Sequence, residues 1–228
     1  LVEKPLALHE EELDAVEAFY SGTNVGPKPL LMTGFNRRYA PGIACIKAML
    51  KERVAPLMIS YRMNAGYLPP DHWVHGPEGG GRNIGEACHI YDLFAFLTDA
   101  EPVMVEATAI GGSAGGIRRN ENFSATIRYS DGSVATLLYT SLGSPSHPKE
   151  RMDIYTDGKV LSLDDYRAVT VAGDSSKHWA SVAPQKGQHE ELLALVDAIN
   201  TGALDEKNIM SQLATTRLAL TIEKQLQS

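Results

Sequence analysis

FSATIRYSDGSVATLLYT, residues Phe123 to Thr140, alternates in polarity on both sides of an Asp-Gly pair. Phe123, Ala125, Ile127 and Tyr129 fall on one face of an extended chain, because side chains in a strand point to opposite faces in turn. Asp131-Gly132 then separates this run from a second β-rich one. Asp-Gly between alternating runs signals a hairpin, because the two-residue turn that suits strand twist needs positive φ at both central positions. Asp157-Gly158 repeats the signal, and Val103, Val105, Ala107 and Ala109 alternate upstream. Together these predict an antiparallel meander over 103–171.

Helical periods flank the meander. His9-Glu10-Glu11-Glu12 opens a helix carrying Leu13, Val16 and Tyr20, with three glutamates suited to the positive end of the helix dipole. Pro41 begins a second helix, where its missing N–H costs little. Ile84 to Leu97 reads as a third helix, apolar almost all round and therefore buried on more than one side. Leu192 to Ile199 and Ile209 to Leu220 close the chain. Leu30–Phe35 and Ala55–Met63 read as strands. Residues 64–82 form a loop rich in Gly, Pro, His and Trp, and loops of that length are commonly functional. The order gives an α+β fold: one open, mostly antiparallel sheet with helices on one face, and a second face that is covered or is an interface.

The 228 residues are enough for one large domain over 1–228, and 43% of them are apolar. That composition excludes disorder. Lys and Arg number 21 against 28 Asp and Glu, a net charge of −7 that argues against a nucleic-acid-binding stripe. No stretch approaches ~18 consecutive apolar residues, so no membrane span is expected. Two cysteines, Cys45 and Cys88, lie in apolar helical patterns and read as reduced core thiols, which fits a cytoplasmic location. The opening Leu1-Val2-Glu3-Lys4-Pro5 reads like the end of a strand, which suggests a piece of a longer protein.

Three groups of residues could carry chemistry. The glycine runs come first. Gly111-Gly112-Ser113-Ala114-Gly115-Gly116 and Gly79-Gly80-Gly81 match neither the dinucleotide fingerprint nor a phosphate loop and read as turns. Next, Glu86, His89 and Asp92 recur every three residues on the third helix, so an acid on either side could orient the imidazole and raise its pKa. A histidine satisfied at a packed helix face is the competing reading. Glu86-x-x-His89 also has a ligand spacing found in metal bundles, and Asp71, His72 and His75 could add ligands, which gives a metal-dependent hydrolase as one alternative. Last, Lys4 precedes a proline that stiffens its backbone; alone it reads as a surface lysine.

The order of these motifs resembles the Gfo/Idh/MocA family of NAD(P)-dependent oxidoreductases. The resemblance rests on Glu3-Lys4-Pro5-Leu6, on Phe35-Asn36-Arg37-Arg38-Tyr39, on Gly79-Gly80-Gly81-Arg82 running into Gly85-Glu86-Ala87-Cys88-His89-Ile90-Tyr91-Asp92, and on the hairpin from Lys149-Glu150-Arg151 to Asp164-Asp165. It implies a C-terminal substrate and oligomerisation domain whose N-terminal Rossmann partner, absent from this chain, holds NAD or NADP. It further implies oxidation or reduction of a sugar or cyclitol hydroxyl. Glu3, Lys4 and Pro5 would lie at the cofactor. Lys4 would stabilise the alkoxide and His89 would move the proton, with Glu86 or Asp92 orienting it. Asn36, Arg37, Tyr67 and Arg82, with His89, would contact the substrate. Gly85 stands where the family usually has an aspartate, so either Glu86 substitutes from the next position or Lys4 and His89 act alone. Implied partners are a sugar-like molecule, the chain's own Rossmann domain and further copies through the sheet face, with neither nucleic acid nor membrane. A non-catalytic module for oligomerisation or ligand sensing is the remaining alternative.

Overall fold

A computed structural model describes residues 1–22, 26, 28–111, 117–173, 178–202 and 206–227. Most of the glycine run at 111–116 therefore lies outside the described residues. The central hairpin forms as expected. Strand β3 (Asn122–Tyr129) pairs antiparallel with β4 (Val134–Thr140), placing Phe123 opposite Tyr139 and Ile127 opposite Ala135. Phe123 and Tyr139 stack with ring centroids 5.3 Å apart.

Its turn differs from the two-residue form. Only Gly132 has positive φ, at 88°, and residues 130–133 make the connection. Asp131 instead accepts the Ser133 N–H at 2.9 Å, which holds its own backbone out of the left-handed region. Asp157-Gly158 does form the two-residue turn, with φ of 47° and 72° between β5 (Glu150–Thr156) and β6 (Lys159–Asp164). A third hairpin leads into β7 (Ala168–Ala172) through Asp165 and Tyr166, at φ 44° and 54°. It has no glycine and so no glycine turn signal in the sequence.

With β1 (Met58–Asn64), β2 (Pro102–Ala109) and β8 (Trp179–Ala180), the described strands make one sheet in the order β2-β3-β4-β1-β5-β6-β7-β8. Every pairing is antiparallel except β1 with β4. The chain is thus the expected α+β fold. Helices α2 (Pro41–Leu50) and α3 (Cys88–Thr98) bury Ile43, Ile46, Ile90 and Phe94 against Ile59, Leu137 and Ile154 of the sheet. On the other face Met58, Leu138 and Tyr155 are 57%, 50% and 48% exposed.

Leu30–Phe35 is not a strand. Thr33 alone pairs, in parallel, with Val2, and Val2 also takes part in hydrogen bonds with Met32 and Gly34 at 2.8 Å each. This strip has no place in the eight-stranded sheet. The chain between its two halves carries α1 (Glu10–Ser21), as a parallel pair requires a crossover. Leu13 of α1 joins Ile209, Leu213 and Leu220 of α5 (Glu206–Gln227) in a second, smaller core. Helix α4 (Gln188–Thr201) precedes α5. None of the described helices is long and apolar enough to cross a membrane.

Candidate functional site

The third helix is not one continuous α-helix. Asn83–Ala87 forms a π-turn, and α3 begins only at Cys88. A π-turn adds a residue per turn, so the three-residue spacing from Glu86 to His89 no longer puts them side by side. No hydrogen bond joins His89 to Glu86 or Asp92 among the described residues. Asp92 is fully buried and faces Arg38, which donates to it through Nε at 2.9 Å and through its terminal nitrogen. Glu86 faces the sheet. It accepts from Tyr139 at 2.5 Å and pairs with Arg82 and Lys149, each at 2.8 Å. These cations hold its carboxyl far below the usual range despite burial. The flanking-acid arrangement expected from spacing is therefore replaced by two separate ion pairs.

His89 is 7% exposed, and its Nδ1 has no hydrogen-bond partner. Burial, reinforced by Arg37, Lys4 and Lys186, pushes its pKa well below the ordinary 6.5, opposite to the rise expected from acidic neighbours. Burial and these cations favour the neutral imidazole, the form that can accept a proton.

Lys4 reaches the same place from the other end of the chain. Its Nζ donates to the carbonyl of Gly85 at 2.5 Å, four residues before His89. Glu3 lies over Gly34, where a Cβ would come within 3.2 Å of its carboxylate. Pro5 follows on the same strip.

Arg37 and Asn36 belong to a short 3-10 turn, Asn36–Tyr39, ahead of α2. Arg37 pairs with Glu150 at 3.1 Å and lies over the Tyr166 ring at 5.0 Å. Asn36 donates to the Lys186 carbonyl at 2.8 Å. Arg82 is 2% exposed; besides Glu86 it donates to the carbonyls of Gly66 and Ala65. Each of its nitrogens is engaged, so it ties the 64–82 loop to the π-turn. Tyr67, on that loop, is 73% exposed.

Several residues of this site were not singled out from sequence. Glu150 is completely buried and accepts from Arg37, from Lys186 at 2.5 Å and from Tyr61 at 2.6 Å. It occupies an inward position of β5 in register with buried Met152 and Ile154, and a carboxylate in that register was the available signal. Lys149, beside it, serves Glu86. Lys186 lies just before Gly187, whose φ of 87° and close approach to the Asn36 carbonyl leave no room for a side chain.

The metal reading does not assemble. His75 faces Glu121 at 3.1 Å, His72 accepts from the Val74 N–H, and Glu86 is held by cations. No three ligand-type residues converge among the described residues. Cys88 is fully buried, its thiol pushed up to about 12 by burial. A cavity of about 850 Å³ lies beside Lys47, Arg53, Phe96 and Asp99 and touches none of Lys4, Glu86 or His89.

Residues 53–161 match the GFO/IDH/MocA C-terminal domain. This is the family the motifs pointed to. The match runs from β1 into the first half of β6 and includes the π-turn and His89. Solved structures extend the likeness to the whole chain. A UDP-N-acetylglucosamine 3-dehydrogenase from Acidithiobacillus ferrooxidans is 20% identical with a TM-score of 0.77, over 99% of this chain and 69% of its own. An aldose-aldose oxidoreductase from Caulobacter crescentus is 19% identical at TM-score 0.75, with the same coverage of 99% and 69%. A myo-inositol dehydrogenase from Corynebacterium glutamicum is 21% identical at TM-score 0.70, again over 99% and 69%. At these identities the likeness is one of fold. No curated protein matches the sequence.

Proposed function

We propose that this chain is the substrate half of an NAD(P)-dependent oxidoreductase that interconverts a sugar or cyclitol hydroxyl and its ketone. One observation carries the reading: an ammonium and a neutral imidazole, 85 residues apart in sequence, are held at one π-turn, Lys4 on the Gly85 carbonyl and His89 four residues further on. The Lys4 charge lowers the cost of a developing alkoxide. His89, neutral and with Nδ1 unpartnered, accepts the hydroxyl proton in oxidation and returns it in reduction. Arg37 and Lys186 keep the imidazole unprotonated until then. The nicotinamide cofactor, when bound, supplies the hydride acceptor or donor.

The residues present suit that cofactor's reactive end. Lys4 and His89 meet the base and charge requirements, and Glu3, Lys4 and Pro5 would lie against the nicotinamide. The parallel Val2–Thr33 pair with its α1 crossover has the connection of a βαβ unit, which suits an N-terminal Rossmann partner. Assembly through the half-exposed sheet face around Met58, Leu138 and Tyr155 belongs to the same proposal.

The test is turnover of the complete enzyme, followed by nicotinamide absorbance with a panel of sugars and cyclitols. Lys4→Ala and His89→Ala each lower kcat by about a hundredfold or more, with the circular dichroism of the parent retained. Parent-like turnover in both would overturn the assignment.

A further inference from the structure

We infer that the substrate carries an oxyanion, a carboxylate or phosphate on the sugar, and that Lys149 and Lys186 read it. The proposal rests on the oxidoreductase reading for its kinetic test, and on the charge around His89 for its argument.

Two clusters of the same composition flank the π-turn. In one, Glu150 is shared by Arg37 and Lys186 and accepts from Tyr61. In the other, Glu86 is shared by Arg82 and Lys149 and accepts from Tyr139. Each arginine is buried, 6% and 2% exposed, and lies over a tyrosine ring. The lysine side chains keep contact with solvent, 21% exposed for Lys186 and 39% for Lys149. So each carboxylate holds two cations, and the one that faces outward is a lysine. Lys4 adds a fifth cation, bonded to a neutral carbonyl.

Five cations thus face two carboxylates, in a chain whose net charge is −7. Other acids nearby offset only part of the excess. Asp92 is taken by Arg38, and Glu3 and Glu191 lie toward that pair. A developing alkoxide calls for one positive charge, which Lys4 supplies. A neutral sugar leaves the other four cations against two carboxylates. Gathering like charges in one place is costly unless a counter-charge arrives, and an oxyanion between Lys149 and Lys186 is such a partner. Binding it also relieves the cationic field on His89 and raises the proton affinity of the imidazole when it must act.

The experiment compares D-glucuronate, D-glucose 6-phosphate and D-glucose with the complete enzyme, by turnover and by calorimetric binding. The expected result is that one acidic sugar exceeds glucose in kcat/KM or affinity by about tenfold or more, with the preference falling as salt rises. Which acid wins identifies the oxyanion. Lys149→Met and Lys186→Met each reduce the acid-over-neutral ratio about tenfold, while Lys51→Met, a distant lysine, leaves the ratio unchanged. Equal handling of all three sugars, or a ratio unmoved by both variants, overturns the proposal and leaves the oxidoreductase reading standing. Preferential binding of an acidic sugar without turnover of any sugar supports the oxyanion site and overturns the oxidoreductase reading.

Discussion

Lys149 and Glu150, adjacent in sequence, serve opposite clusters: Lys149 Nζ lies 2.8 Å from Glu86, while the buried Glu150 takes Arg37 and Lys186. The chain enters β5 at this point, and strand alternation sends the two side chains to different partners. One dipeptide therefore fastens both ends of the candidate site.

Glu150→Gln tests how far the fold depends on that fastening. It leaves Arg37 and Lys186 with no carboxylate, and breaking a buried pair from one side costs about 3–5 kcal/mol. Urea unfolding is expected to show a loss in that range, larger than for Glu10→Gln on exposed α1. A change within ~0.5 kcal/mol would mean the buried pair is not formed.

Gly85→Asp introduces the residue usual at this place in the family that the chain resembles, yet we expect it to fail. A Cβ on Gly85 would lie 2.8 Å from the Gly79 carbonyl, a backbone atom. The side chain has no room unless the π-turn or the glycine run shifts, and overpacking of this kind costs about 1–3 kcal/mol. Thermal melting should fall and turnover should drop. Higher turnover in this variant would show that the turn repacks freely.

The pH dependence of turnover carries the state of His89. Its pKa lies well below 6.5 because of burial and the cations Arg37, Lys4 and Lys186. In the oxidising direction the acid limb of kcat/KM should therefore lie below pH 6.5, since the imidazole stays unprotonated as pH falls. Removing one cation by Lys186→Met should move that limb upward. A parent limb above 6.5 would contradict the charge balance described above.

Glu191 gives a stability test with the opposite sign. Burial, with Glu3 and Asp92 nearby, raises its carboxyl from 4.5 to about 7, and its Oε1 has no partner. The folded state then holds a proton that the unfolded state releases between pH 4.5 and about 7. Stability from this group is full below that window and is lost as pH rises through it. Denaturation midpoints of the parent should fall from pH 5 to 7.5 relative to Glu191→Gln, and parallel profiles would refute the shift.

The sheet was legible because its signals are local. Alternation in Phe123–Tyr129 and the Asp157-Gly158 turn need only neighbours in sequence. Asp165-Tyr166 was not legible, because its left-handed backbone is held by burial of the Tyr166 ring. Lys4 and His89 were found through motif order, and the structure brings them together. The role read for Glu86 depended on a 3.6-residue period, which the π-turn at Asn83–Ala87 breaks, whereas Asp92, inside α3 with His89, is taken by Arg38. No composition rule announces a π-turn. Lys186 escaped notice because a lone lysine in a polar loop acquires meaning only from Glu150, 36 residues away.

The π-turn also divides the molecule. Ile84 belongs to the small core around Leu13, whereas Ala87 and Cys88 belong to the large core under the sheet. Lys4 is bonded to the residue between them, and His89 stands on the far side. The separation of ammonium and imidazole is consequently a joint between two packed bodies, fixed by neither alone. Loosening the small core, for instance at Leu13, would register first as slower turnover, before the sheet shows any loss of cooperativity.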